Sequence, residues 1–313
     1  MSLTPKIITL DDLAERNQPL KDTIRVGVVQ TIIRDDAWKQ HKWRMSREAS
    51  NSTWQAIERA FQQFHVLDSP PDIVVLPEVS VPRWRVPRLK TMCAGLPCMA
   101  IAGLDFDVDT VGQVANRAAL MVPTRWPKEQ PSPNCKLIRI GKTYPSVEER
   151  AMLKKNRPKR KFIGDPTLWL FDADRLGRFG VCLCYDFMDV DRLPLYRGEI
   201  QHLFVLAYNR DVATFDHLAE SLSRTLYCNV VVCNTGFFGS SLAMTPYARH
   251  YRRPTYRIQG QRLETSQVIT LPVKAIRDAQ EGGPGKPKTG KKHKVRKDAN
   301  YDELKALPPG LPK

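Results

Sequence analysis

"GVCLCYDFMDVD", Gly180–Asp191, sets two cysteines two residues apart at the end of an apolar run and then turns acidic. Such a run reads as a buried strand that stops at a loop. Two readings of Cys182 and Cys184 follow from these residues alone. A free cysteine packs well as a small buried hydrophobe. At a strand end beside other reactive groups it is a nucleophile. The rest of the chain decides between them.

Outward from this stretch, short apolar runs alternate with helical patterns. IRVGVVQT (Ile24–Thr31), DIVVLPE (Asp72–Glu78), HLFVLAYN, NVVVCNTG, SLAMTPY and QVITLPV read as strands. CMAIAGLDFDV and ANRAALMVP read as two more, around a turn at Thr110–Gly112. TLWLFDAD and RFGVCLCYD read as a hairpin across Arg175–Gly177. SREASNSTWQAIERAFQQFHVL reads as a helix with Trp54, Ile57, Phe61 and Phe64 on one face, and FDHLAESLSRTLYC as a second. Helices interleave with strands, yet several strands follow one another directly. The fold class is therefore α/β with a mixed sheet system, not a βαβ barrel. Residues 1–22 read as an N-terminal arm, 23–274 as one domain, and 275–313 as a basic, flexible tail carrying EGGPGKPKTGKKHKVRK.

The 313 residues suffice for a sizeable core, and 42% hydrophobic content excludes a disordered chain. No apolar run reaches membrane-span length, and the N-terminus has no apolar leader pattern, so no membrane association is expected. Seven scattered cysteines predict reduced thiols and a cytoplasmic location. A net charge of +16 predicts an anionic substrate or partner. GKPKTGKK lacks the Ser/Thr and the preceding strand of a phosphate loop. Cys93 and Cys98 have no second ligand pair, so no metal site is expected.

Three stretches carry chemistry together. VVLPE ends a strand on Glu78, GKTYPSVEE sets Lys142 in a loop, and GVCLCYD ends a strand on a cysteine. Brought to one point, a carboxylate takes a thiol proton, an ammonium steadies an oxyanion, and a thiolate attacks.

In order and context these motifs resemble the nitrilase, or carbon–nitrogen hydrolase, superfamily. The resemblance spans roughly Ile24 to Val273. VGVVQT is similar to the family's opening strand, and LAESLSRTLYCNVVVCNTG to its helix–strand unit with Arg224 and Asn234. The nucleophile follows a Gly and three apolar residues, which in this chain is Cys184; Cys182 is then structural. The resemblance implies Glu78 as general base and acid, Lys142 as stabiliser of the tetrahedral intermediate, and the Tyr185 N–H in the oxyanion hole. It implies a second glutamate after the lysine, Glu149, with Glu148 as its rival. It further implies a four-layer α-β-β-α sandwich, a small amide substrate, no cofactor, and a homodimer or higher homo-oligomer.

The chain departs from the family in places. Tyr144 and Pro145 replace the usual His-Leu, and Asp191 stands where a glutamate falls. Phe187 and Met188 replace the arginines of carbamoyl-amino-acid hydrolases. RWRVPRLK (Arg83–Lys90) after Glu78 and RAMLKKNRPKRK (Arg150–Lys161) after Lys142 predict a basic rim. With RHYRRPTYR (Arg249–Arg257) and the tail, that rim makes nucleic acid a candidate partner. A catalytically altered binding module for an anionic partner is the competing reading.

Overall fold

Period-two alternation inside the apolar runs fixes which side of each strand faces which neighbour. The computed structural model describes residues 6–10, 19–38, 43–126, 130–155 and 159–281. Its elements in the first half are β1 (Lys6–Thr9), β2 (Thr23–Gln30), α1 (Arg47–His65), β3 (Ile73–Val81), α2 (Val86–Gly95), β4 (Met99–Val108), β5 (Gln113–Pro123), β6 (Cys135–Gly141) and α3 (Val147–Lys155). There follow β7 (Lys161–Phe162), β8 (Trp169–Asp172), β9 (Arg178–Leu183), β10 (His202–Ala207), α4 (Val212–Leu222), β11 (Asn229–Asn234), β12 (Ser241–Met244), β13 (Pro254–Ile258), β14 (Thr265–Pro272) and α5 (Lys274–Gln280).

Two mixed sheets result. One runs β14-β2-β3-β4-β5-β6, with β7 beside β5; the other runs β1-β8-β9-β10-β11-β12-β13. Ile73 and Val75 of β3 join Phe179 and Val181 of β9 in a cluster between the sheets. The intervening Val74 and Leu76 face the other way, against Trp54, Ile57, Phe61 and Phe64 of α1 and Leu89 of α2. On the second sheet, Leu203 and Val205 of β10 pack on Phe215, Ala219 and Leu222 of α4. Helix α1 starts at Ser46, whose hydroxyl accepts from the Ala49 N–H, and Asp211 caps α4 in the same way at Thr214.

The expected hairpin pairs β8 antiparallel to β9, and β4 pairs antiparallel to β5. Several elements went unread. Lys6–Thr9, inside the expected arm, adds a parallel edge strand to β8. Arg83–Lys90 runs into helix α2, Arg150–Lys155 lies on helix α3, and Cys135–Gly141 is a strand of seven residues. Basic side chains dilute the apolar pattern in all three. Of the expected tail, residues from 282 onward lie outside the described residues, as do 1–5 and 11–18 of the arm. No helix among the described residues is long and apolar enough to cross a membrane.

The parallel strands β2-β3-β4 and β9-β10-β11 sit centrally in their sheets. Carboxyl ends of such strands are where α/β folds place their sites; Glu78 lies in the C-terminal half of β3 and Cys184 directly follows β9.

Candidate active site

Glu78 sits in an interruption of β3. Between Leu76 and Val81 the register with β4 breaks, and Val79 takes φ 50°. A β-branched residue in the left-handed region is an outlier that its surroundings must hold. The bulge turns Glu78 into the interior, where it is buried. It also presses β3 onto β4: a methyl built on Gly103 would overlap the Pro77 carbonyl and the Glu78 Cα. Only glycine fits opposite this bulge.

Lys142 follows β6 directly. Its N–H donates to the Asn116 carbonyl at 2.9 Å. Its side chain is buried, and Nζ donates to Glu78 Oε1 at 2.9 Å and Glu149 Oε2 at 2.8 Å. The Ser146–Glu149 stretch, SVEE, forms a capping box that aims Glu149. The Ser146 hydroxyl accepts from the Glu149 N–H, and the Ser146 N–H donates to Glu149 Oε2 at 2.6 Å. Glu149 is buried, whereas its rival Glu148 is exposed. Asn116 of β5 completes the group: its Nδ2 donates to Glu78 Oε1 at 2.9 Å and to Glu149 Oε1 at 2.8 Å.

Cys184 directly follows β9 with φ 44°, the second strained non-glycine residue at this point. Its thiol interacts with the Glu78 carboxylate and accepts from the Tyr208 N–H. That N–H also donates to Glu78 Oε2 at 3.2 Å. Asn234, at the end of β11, fixes the Tyr208 turn by bonding both the N–H and the carbonyl of Asn209. Tyr185 follows Cys184 at half-burial. Asp186 ties the cysteine turn to the lysine loop, accepting from the N–H groups of Thr143 at 2.8 Å and Tyr144 at 3.0 Å. Cys182 lies within β9, packed in the cluster under α4 that also reaches Cys184.

The electrostatics divide labour between the carboxylates. Burial pushes the Glu78 pKa up and Lys142 pulls it back only in part, so it stays raised. Glu149 feels the same burial, but Lys142 and the bonds from Ser146 and Asn116 outweigh it and hold the group low. Burial opposes the Lys142 charge, yet Glu78, Glu149 and Cys184 raise its pKa well above the usual lysine range. The pattern is an ammonium, a fixed carboxylate and a second carboxylate poised to take a proton. The Cys184 pKa is pushed up by burial and by Glu78, against the pull of Lys142, so it rests as a thiol whose proton Glu78 can take.

The structure thus brings together Glu78, Lys142, Glu149 and Cys184. Asn116 and Tyr208 were missed. Asn116 is a buried polar residue inside an apolar strand, a visible signal; Tyr208 contributes backbone, which no side chain announces. Cys93, on α2, and Cys98, just before β4, are buried in the same cluster.

No family model and no curated protein matches the sequence. Solved structures do. A Saccharomyces cerevisiae member of the nitrilase superfamily matches with a TM-score of 0.59 at 16% identity, over 88% of this chain and 99% of its own. A CN-hydrolase superfamily protein from Xanthomonas campestris, with an arsenic adduct in its active site, matches at 0.56 and 14%, over 83% and 94%. This chain has the nitrilase-superfamily fold. A mutant amidase from Nesterenkonia sp. AN1, bearing the acetamide moiety of fluoroacetamide on its active-site cysteine, shares that nitrilase fold at a TM-score of 0.57 and 12% identity, over 82% and 93%.

Proposed function

We propose that the chain is a thiol amidohydrolase of the nitrilase kind, cleaving a non-peptide C–N bond through a thioester on Cys184, within a four-layer α-β-β-α arrangement. The observation that carries this reading is the buried Glu78–Lys142–Glu149 group with the Cys184 thiol against Glu78. Burying two carboxylates with one ammonium is costly. It is a poor device for stability alone and a good one for setting proton affinities. That cost also weighs against the binding-module reading.

Each residue takes a step that balances. Cys184 Sγ adds to the amide carbonyl carbon and its proton passes to Glu78. The carbonyl oxygen becomes an oxyanion, met by Lys142 Nζ and the Tyr185 N–H. Lys142 has three donors; Glu78 and Glu149 engage two of them among the described residues. The adduct collapses, the C–N bond breaks, and Glu78 returns the proton to the leaving amine. Glu78 then takes a proton from water, hydroxide attacks the thioester, and the acid leaves as the thiolate regains its proton. Glu149 and Asn116 hold the lysine and Glu78 in place throughout.

The test is hydrolysis of a panel of small amides by the full chain and two variants. Cys184→Ala should lose several orders of magnitude in rate while remaining folded. Cys182→Ala should keep its rate and lose only packing. Equal loss in both folded variants would overturn the assignment.

A further inference from the structure

We infer that Arg192 is a positioning residue of this site: its guanidinium locks the Cys184 turn to the Lys142 loop. The role deepens the amidohydrolase reading and rests on it.

Arginine is abundant in this chain and mostly lies toward the surface. Arg83 and Arg117 share Asp107, Arg253 pairs with Glu220, and Arg257 pairs with Asp216, all through partly exposed side chains. Arg192 is the one buried arginine among the described residues, at 7% exposure. Burying a guanidinium is costly unless its donors are met. The other arginines therefore serve solubility and the surface field, and this one answers to its neighbours.

Those neighbours come from three separate segments. Nη1 donates to the Thr143 hydroxyl at 2.6 Å and Nη2 to the Pro166 carbonyl at 2.9 Å. Nε faces Asp189 Oδ2 at 3.7 Å, and the Arg192 N–H donates to Asp189 Oδ1 at 3.1 Å. Thr143 is the residue after Lys142. Pro166 belongs to a strap, residues 163–167, whose Asp165 N–H donates to the Lys142 carbonyl at 3.0 Å. The Asp165 carbonyl accepts from the Thr143 hydroxyl at 2.8 Å. The strap is pressed on the loop, since a methyl built on Gly164 would overlap the Thr143 carbonyl. Asp189 closes the Cys184 turn: its N–H donates to the Asp186 carbonyl at 3.2 Å.

The Thr143 hydroxyl is thus a joint, donating to the strap and accepting from Arg192. The Cys184 backbone is strained at φ 44°, and such a turn persists only where its surroundings over-determine it. Asp186 supplies one tie from the turn to the loop, through the Thr143 and Tyr144 N–H groups. Arg192 supplies a second, through a side-chain hydroxyl and the strap. With one tie the two segments can pivot; with two, the span from Cys184 Sγ to Lys142 Nζ is fixed. That span decides whether the oxyanion forms within reach of the ammonium. A lysine would carry the charge without the fork that reaches Thr143 and Pro166 at once.

The experiment reads turnover and thiol reactivity in the full chain. Acetamide, propionamide, butyramide and benzamide are offered as substrates. Alkylation of Cys184 by iodoacetamide, followed by peptide mass spectrometry, is the second readout. Arg192→Met should lower kcat on the best amide about ten-fold and leave KM within about two-fold. Alkylation of Cys184 should slow by a similar factor. Thr143→Val should do the same, and it carries the test should Arg192→Met fail to fold. The double variant should be no slower than either single one, because both remove the same joint. Arg192→Lys should regain only part of the rate. Arg178→Met loses a paired arginine at the start of β9 and should lower the melting temperature without moving either readout. Losses that multiply in the double variant, or a rise in KM with kcat intact, overturn the inference. So does a fall in melting temperature with kcat and KM unchanged. If the unmodified chain cleaves none of these amides, the hydrolase reading fails and alkylation alone decides. Slower alkylation in Arg192→Met and Thr143→Val then upholds the positioning role, and an unchanged or faster rate overturns it.

Discussion

Replacing Lys142 by Met keeps the length of the side chain and deletes its charge. The ammonium is the shared cation of two buried carboxylates, at 2.9 Å from Glu78 and 2.8 Å from Glu149. Removing one partner from such a buried group leaves uncompensated charge, at a cost of about 3–5 kcal/mol. At roughly 2–3 °C per kcal/mol for a large domain, the melting temperature at pH 7 should fall by about 6–15 °C. The loss should depend on pH in a definite direction. In the native protein Glu149 is held low, so its contribution is present above the unfolded carboxylate pKa and fades as pH falls through the depressed value. Without Lys142, burial and mutual repulsion raise both carboxylates. They then cost stability above their unfolded pKa and less as pH falls and they protonate. The gap between wild type and Lys142→Met should narrow from pH 7 to pH 5. Thermal unfolding by circular dichroism across that range reads both quantities. A gap that stays constant with pH, or a variant as stable as wild type at pH 7, would refute the electrostatic account.

Gly103→Ala should displace Glu78 without touching any ionisable group. The expected result is a large loss of amide hydrolysis with the far-ultraviolet spectrum retained, and near-normal activity would show that the β3 bulge tolerates a methyl group. Asp186 is pushed up to about 6 by burial, against the N–H groups of Thr143 and Tyr144. Its charge therefore costs stability as pH rises through the window from the unfolded value to about 6. The melting temperature of Asp186→Asn minus that of wild type should rise between pH 4 and pH 7; a flat or falling difference would contradict the shift.

The parts of the site carried by side chains at strand ends were legible. Glu78 closes a continuous apolar run, and the family resemblance, counted from Gly180, picks Cys184 over Cys182. The choice of Glu149 over Glu148 was also written locally, because Ser146 and Glu149 have capping-box spacing and Glu148 does not. Asn116 was harder. Its polarity inside ANRAALMVP is visible, but its two carboxylate partners come from elements 33 and 38 residues away. The Tyr208 N–H has no sequence signal at all, since every residue but proline carries one. Helices α2 and α3 were hidden for another reason. Their basic residues face solvent and their apolar residues are few, so the period of 3.6 is weak there and packing decides. The basic runs likewise gave charge without direction. Asp107, Glu220 and Asp216, which neutralise several of those arginines, are distant in sequence and meet them only in the fold.

The central claim is that Cys184 carries the acyl group during turnover, and peptide mass spectrometry tests it most directly. The full chain is incubated with the amide it cleaves fastest, quenched in acid and digested. Trypsin releases residues 179–192 as one peptide holding both cysteines of GVCLCYD. The account predicts an added acyl mass on this peptide that persists in Cys182→Ala and is absent in Cys184→Ala. An acyl group that survives in Cys184→Ala, or sits on any other peptide while the amide is consumed, would contradict it.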